Sequence, residues 1–373
     1  MEKGDPMRIS LLSPWYGGSH RRWADELKAV SRHRIDILSL EGCHWKWRLH
    51  GAAVTFAERI ASGGQQYDLI LADDMMDIAV FRGLLGQRGI STPVASYFHE
   101  NQLGYPVSQR DTDIRENRDL HYGYINYTSA LASERVFFNS AYHRNSFMEA
   151  LRRLLSQFPD YTNVETIDAI AAKAEVLPLG MTLRELDQHR PERAGGSDRP
   201  LLLWNHRWEY DKRPDEFLRL LVALHEKGLV FNVALLGERG SGGQSGLDQV
   251  RRLLGSAIVQ DGPVETFAEY ARWLWKADIL PVTAVQDFFG GSVVEAIYCG
   301  VHPVLPRRLA YPGHITDENA FYDGITGLAE KTADLITSGR WREPSGCRGE
   351  VARYDWGILG AIYDDAFARV VIR

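Results

Sequence analysis

The sequence predicts two doubly wound α/β domains in tandem. Three observations carry this prediction. The chain has 373 residues, more than the roughly 250–300 at which a single core stops growing. Short apolar runs alternate with helical patterns, the signature of βαβ units and a parallel sheet. The alternation stops once, in the charged, Gly- and Pro-bearing stretch 187–200, and then restarts.

The first strand is "MRISLLSP" (Met7–Pro14), followed by the glycine turn "WYGGSH" and a helix from Arg22. Further strand-length runs are "RIDILSL" (34–40), "YDLILAD" (67–73), "TPVASYF" (92–98) and "ERVFFNS" (134–140), with "AEVLPLGM" (174–181) closing the first half. The second half reads "LLLWNH" (201–206), a helix from about Pro214 to Lys227, "FNVALLGE" (231–238), "SAIVQDG" (256–262), a helix from about Thr266, "ADILPVT" (277–283), a helix carrying Glu295, and "VHPVLP" (301–306). The last stretch, 354–371, has the periodicity of an amphipathic helix. The domains are therefore expected at 7–186 and 199–350, with the terminal helix packing back on the first. No internal repeat or low-complexity tract interrupts the pattern.

Composition narrows the function. A net charge of -6 gives no global attraction for nucleic acid or anionic membrane, so any RNA contact needs a local basic patch. Three scattered cysteines fit neither a disulfide framework nor a zinc site, and they fit a reducing compartment. No apolar leader segment and no membrane-length apolar run is visible. The expected location is the cytoplasm. Tandem doubly wound domains take their ligand at the carboxyl ends of the strands, in the cleft between them. A glycosyltransferase, a sugar-nucleotide epimerase and a periplasmic-type binding protein all fit that description, the last weakened by the missing leader.

The stretch "DILPVTAVQDFFGGSVVEAIYCGVHPVLP" (278–306) places Asp287 before a glycine pair and Glu295 eight positions further on. Gly290 and Gly291 let the backbone approach a ligand without Cβ interference. The helix beginning at Ser292 and Val293 then aims free N–H groups at the same spot, which suits a phosphate. Asp287 can accept from sugar hydroxyls and Glu295 from a ribose diol. A capped helix with two solvated acids would read the same way. A second clue is "WNHRWEYDKRPDEF" (204–217), where Arg207 and Lys212 stand in a strand-to-helix loop. A departing nucleoside diphosphate needs cations when no metal neutralises it. A solvated loop with scattered basic residues is the plainer reading, and a loop lysine there adds little to folding.

Together these elements resemble the donor site of retaining GT-B glycosyltransferases. The stretches "PWYGGSHRRWADEL" (14–27), "YFHENQLGYP" (97–106), "RDLHYGYINYTSALASERVFFNSAYHRNSF" (118–147) and "FFGGSVVEAIYCGVHPVLPRRLAYP" extend the likeness over nearly the whole chain. They resemble the tRNA-queuosine α-mannosyltransferase family. The resemblance implies a GT-B fold, two Rossmann-like domains facing across a cleft. It implies transfer of mannose from GDP-mannose to the queuosine of tRNA-Asp, with no metal required. It also implies that His99 contacts the transferred sugar or the acceptor, and that Glu100, Asn101, Arg110, Arg118 and Tyr122 lie on the acceptor side. Two departures stand out: Gln286-Asp287 where a His-Glu pair is expected, and Gly313 where an acid is expected.

Other residues are weighed beside these. Gly17 and Gly18 either let the backbone close over donor phosphates or simply form a tight turn. Asp73, Asp74 and Asp77 are read as helix-capping residues rather than Mg²⁺ ligands. Tyr122, Tyr124 and Tyr127, at near-helical spacing, are read as core rather than as base-stacking rings. Trp45 and Trp47, flanked by Lys46 and Arg48, look like either a nucleic-acid contact or a plain surface loop. Arg21, Arg22, Arg110, Arg115 and Arg118 are candidates for a phosphate-binding face. No carboxylate is placed as a covalent nucleophile, so front-face attack with retention is expected. The alternatives are the same chemistry on another nucleotide sugar with a lipid, glycan or small-molecule acceptor, an epimerase of similar fold, and a non-enzymatic RNA-binding module.

Overall fold

The computed structural model of the chain describes residues 5–105, 120–191, 198–240 and 244–372. The chain divides into two compact units. One comprises Met1–Met181 with Tyr354–Arg373, the other Thr182–Arg353.

The first unit runs β1 (Arg8–Tyr16), α1 (Gly18–Val30), β2 (Arg34–Glu41), α2 (Trp45–Ser62), β3 (Leu69–Asp73), α3 (Ile78–Gly86), β4 (Val94–Phe98), α4 (Leu120–Ala132), β5 (Arg135–Phe138), α5 (Ala141–Leu155), α6 (Thr166–Ala171) and β6 (Ala174–Val176). The strands form one parallel sheet in the order β2-β1-β3-β4-β5-β6. Every residue of β3 and β4 is buried. Helices cover both faces of such a sheet, which is why these strands read as continuous apolar runs rather than alternating ones.

The second unit runs β7 (Leu201–Trp204), α7 (Pro214–Glu226), β8 (Asn232–Leu235), α8 (Gln244–Leu254), β9 (Ile258–Asp261), α9 (Phe267–Lys276), β10 (Ile279–Pro281), α10 (Gly291–Tyr298), β11 (His302–Pro306), β12 (Phe321–Tyr322) and α11 (Gly324–Ser338). Its parallel sheet is ordered β12-β11-β10-β7-β8-β9. Trp204, Trp208, Phe217 and Leu221 centre its core.

Three features depart from the sequence reading. The strand expected over 174–181 ends at Val176. Gly180, beyond it, passes so close to Trp356 that a Cβ would sit 2.5 Å from the indole. The segment Leu183–His189 is a 3-10 helix belonging to the second unit, although the first domain was expected to reach 186. Trp275 Nε1 donates to the Leu186 carbonyl and Tyr298 OH to Asp187, and these bonds fix it there. Finally, β12 and α11 were not anticipated. A two-residue strand carries no readable period, and α11 opens on Gly324, at φ 67°.

The terminal helix α12 (Trp356–Val371) belongs to the first unit. Asp355 caps it by accepting from Gly357 N. Its buried Asp364 accepts from Ser31 Oγ at 2.5 Å and from Arg32 N at 2.9 Å, at the carboxyl end of α1. Trp356 Nε1 donates to Glu26 at 2.7 Å.

Candidate active site

In an open parallel sheet the ligand crevice lies beyond the carboxyl ends of the strands, where strand order reverses. The reversal falls between β1 and β3 in the first sheet and between β7 and β10 in the second. The loops leaving those four strands carry most of the residues singled out from sequence.

In the second unit, Lys212 ends the short 3-10 turn Tyr210–Lys212. Several bonds join its loop to the one after β10, among them Val285 N donating to Asp211 O at 2.8 Å and Thr283 Oγ1 to Lys212 O at 2.7 Å. Lys212 Nζ lies 2.8 Å from Asp287 Oδ1, 2.7 Å from the Gln286 carbonyl and 3.1 Å from Asp211 Oδ2. Its side chain is only 11 % exposed, not the solvated loop lysine expected. Asp287 also accepts from Tyr311 OH. Burial opposes charge on both partners, but the pair prevails. Facing Asp287 and Asp211 raises the Lys212 ammonium, and facing Lys212 lowers the Asp287 carboxyl, from their ordinary values. Arg207 stands exposed on the same loop.

Gly290 sits at φ 82° ahead of α10, where a Cβ would come within 3.0 Å of the Tyr311 ring and 3.6 Å of Asp287 Oδ2. A side chain there would be strained and would crowd the acid, so the glycine is required on two counts. The helix starts at Gly291, with Ser292 and Val293 next. Asn205 Nδ2 donates to the Ser292 carbonyl at 2.8 Å, and Ser292 Oγ meets His206 Nδ1 at 3.1 Å. Buried Glu295 accepts from Tyr270 OH at 2.8 Å. Burial pulls His206 down to about 4, so its ring is neutral at pH 7, and its buried Nε2 has no partner.

In the first unit, Gly17 is extended and Gly18, at φ 51°, opens α1. His20, one turn in, places Nδ1 3.1 Å from Asp73 Oδ2 and its ring 4.4 Å from that of His99. The peptide N–H of His99 donates to Asp74 Oδ1 at 2.9 Å, and its carbonyl accepts from Asn139 at 2.8 Å. Burial, then the neighbouring His20 and His143 rings, hold His99 well below its ordinary value, so it is neutral. Burial raises Asp73 to about 7. Asp73 Oδ1 and His99 Nε2 are buried without partners. Ligand atoms of His20, Asp73 and His99 all lie within 4.8 Å of one another, close enough to share a cation.

The other candidate residues differ in burial and partners. Asp77 is a helix cap, accepting from Val80 N at 2.9 Å, but Asp73 and Asp74 are buried site residues instead. Asn101 is fully buried and braces its own loop by accepting from Gly104 N, which leaves its side chain no access to an acceptor. Glu100 is half-buried and accepts from Gln102. Tyr122 is 8 % exposed and packs with Trp45, Leu49 and Ile125, a core residue rather than an acceptor contact. Arg21 and Arg22 pair with Asp25 and Glu26 one turn on, which spends their charge locally. Arg110, Arg115 and Arg118 lie outside the described residues. Sequence reasoning missed His20, His206, Tyr270 and Tyr311. His20, His206 and Tyr311 stand inside the quoted motifs, whereas Tyr270 reaches in from α9.

The fold is shared with solved glycosyltransferases. Sucrose-phosphate synthase from Thermosynechococcus elongatus superposes with a TM-score of 0.70 at 15% identity, over 98% of this chain and 99% of that one. The UDP-forming trehalose-phosphate synthase of Burkholderia xenovorans gives 0.64 at 12%, over 98% and 99%. The chain thus has the GT-B fold, in two Rossmann-like units. Residues 8–181 match the family model of the tRNA-queuosine alpha-mannosyltransferase N-terminal region. The chain is also 31% identical over 330 residues to a Drosophila melanogaster tRNA-queuosine alpha-mannosyltransferase, covering 87% of this chain and 85% of that protein. It belongs to the tRNA-queuosine alpha-mannosyltransferase family.

Proposed function

We propose that this enzyme transfers mannose from GDP-mannose to the queuosine of tRNA-Asp with retention, in the cytoplasm and without a metal. The observation that carries the donor half is the Lys212–Asp287–Tyr311 cluster ahead of α10. It fixes an ionised carboxylate where sugar hydroxyls can donate to it. Beside it, ahead of the Val293 N–H that bonds the Gly290 carbonyl, the first N–H groups of α10, at Gly291 and Ser292, suit a diphosphate. Arg207 supplies counter-charge, and Glu295 stands one turn into the helix for the ribose. Lys212 has all three donors engaged, so it acts first by holding Asp287 ionised. It turns to the diphosphate only by exchanging a partner.

The C1–phosphate bond breaks as the acceptor hydroxyl bonds to C1 on the same face, and the hydroxyl proton passes to the departing phosphate oxygen. Neutral His99, with Nε2 unengaged, hydrogen-bonds the sugar or the acceptor hydroxyl. The mannosyl donor and the queuosine acceptor rest on the activity of the Drosophila relative.

The metal claim is tested by transfer assays in excess EDTA, where activity should persist because protein cations and a helix N-terminus meet the diphosphate. Loss in EDTA with rescue by Mg²⁺ or Mn²⁺ would overturn it and point to His20, Asp73 and His99 as the ligands.

A further inference from the structure

The first unit carries an exposed aromatic surface that the transfer chemistry leaves unused. Trp47, in the first turn of α2, is 62% exposed. Its partner in sequence, Trp45, is instead packed against Tyr122, ring centroids 5.2 Å apart. Four residues after Trp47 comes Gly51. A Cβ built there would sit 2.7 Å from the Trp47 indole, so the ring lies directly over the bare glycine. A glycine inside a helix is less favourable than alanine by about 1 kcal/mol, and its position here is explained by the flat seat it gives the indole. The ring is held down on one side and open to solvent on the other.

On the same helix face, His50 stacks on His121 of α4, centroids 5.0 Å apart and planes 21° from parallel, with both residues exposed. Arg48 hydrogen-bonds the Glu41 carbonyl and Cys43 Sγ, neutral partners, and among the described residues no carboxylate pairs with it. In a parallel sheet, helices begin at the carboxyl edge of the strands. The first turns of α2 and α4 therefore open on the same rim of this unit as His20, Asp73 and His99.

Flat rings open on one face, beside a cation with neutral partners, match single-stranded RNA. Every base has a π-face to stack, and each phosphate needs a positive partner. We propose that Trp47 seated on Gly51, together with the His50–His121 pair and Arg48, is a base-stacking platform. It holds the unpaired anticodon-loop nucleotides next to the one that is modified. The inference rests on the tRNA acceptor proposed above, and it names the part of the chain that grips it.

The test measures binding of a fluorescent tRNA-Asp anticodon stem-loop, with mannose transfer followed in parallel, for wild type, Trp47→Ala, Trp47→Phe and Gly51→Ala. Trp47→Ala should weaken RNA binding about ten- to a hundredfold, the scale of one lost stacked base. The KM for GDP-mannose and the melting temperature should be unchanged, because the side chain is mostly exposed. Trp47→Phe should recover much of the loss. Gly51→Ala, which lifts the indole off its seat while keeping it, should fall between. Equal RNA binding by wild type and Trp47→Ala overturns the platform. If wild type binds the stem-loop but transfers no mannose, the acceptor reading fails, while the binding series still judges the platform. No RNA binding by wild type overturns both.

Discussion

Arg207 and Lys212 were paired by sequence as two loop cations with one task, and the structure separates them. Lys212 is buried between Asp211 and Asp287. Lys212→Ala leaves both carboxylates without their partner, so it should destabilise the protein by about 3–5 kcal/mol. Its activity loss is then inseparable from unfolding. Arg207 is exposed, and Arg207→Ala should leave the melting temperature unchanged while slowing transfer about 10²–10³-fold, the scale of one lost charge-stabilising donor. Melting curves and turnover on both variants distinguish the cases, and near-normal turnover in Arg207→Ala would remove it from the donor site. The motif made the residue types legible: a basic pair upstream and an acid on each side of two glycines. What it hid was which cation meets the acid. That depends on the bonds between the loops after β7 and β10, some seventy residues apart in the chain.

Elements were legible where their apolar runs are long enough to show a pattern. Strands covered on both faces give unbroken apolar runs, and β3 and β4 stand out for that reason. Short β12 and glycine-led α11 have no such signature. The glycine pair ahead of α10 was legible as a close approach, but the neighbour that enforces it, Tyr311, lies beyond β11 and carries no periodic mark. This element makes a sharp prediction. Gly290→Ala places a side chain at φ 82°, 3.0 Å from the Tyr311 ring. The strain is worth about 1–3 kcal/mol, and the push falls on the Tyr311–Asp287 bond. Donor affinity, read by calorimetric titration with the nucleotide sugar, should drop along with stability. Unchanged affinity would mean that Tyr311 does not position Asp287.

At the scale of the whole molecule, buried histidines set the acid limit of the second unit. Burial lowers His206 and His314 from 6.5 to about 4. A lowered histidine leaves the unfolded chain binding more protons between those values, so stability is full above about 6.5 and falls as pH drops toward about 4. Asp278, raised by burial to about 6, works the other way. The two histidines outweigh it. Scanning calorimetry should show the transition of this unit moving to lower temperature between pH 7 and 5, and His206→Gln should flatten that slope. A transition that rises on acidification would contradict the assignment.

The two parallel α/β domains and the family were both readable at this scale, because βαβ alternation and motifs spread over the chain survive without coordinates. The acceptor-side contacts were less legible. Asn101 and Tyr122 are polar or aromatic residues used for packing, and types alone do not separate a buried brace from an exposed contact. The central claim is the acceptor, and one measurement tests it most directly. The enzyme is given GDP-mannose with tRNA-Asp that carries queuosine, and separately with the same tRNA carrying guanosine at that position, and the digested nucleosides are weighed by mass spectrometry. The account predicts a hexose mass on queuosine in the first sample and no addition in the second. A hexose on the guanosine form, or none on the queuosine form with any nucleotide sugar, would contradict it.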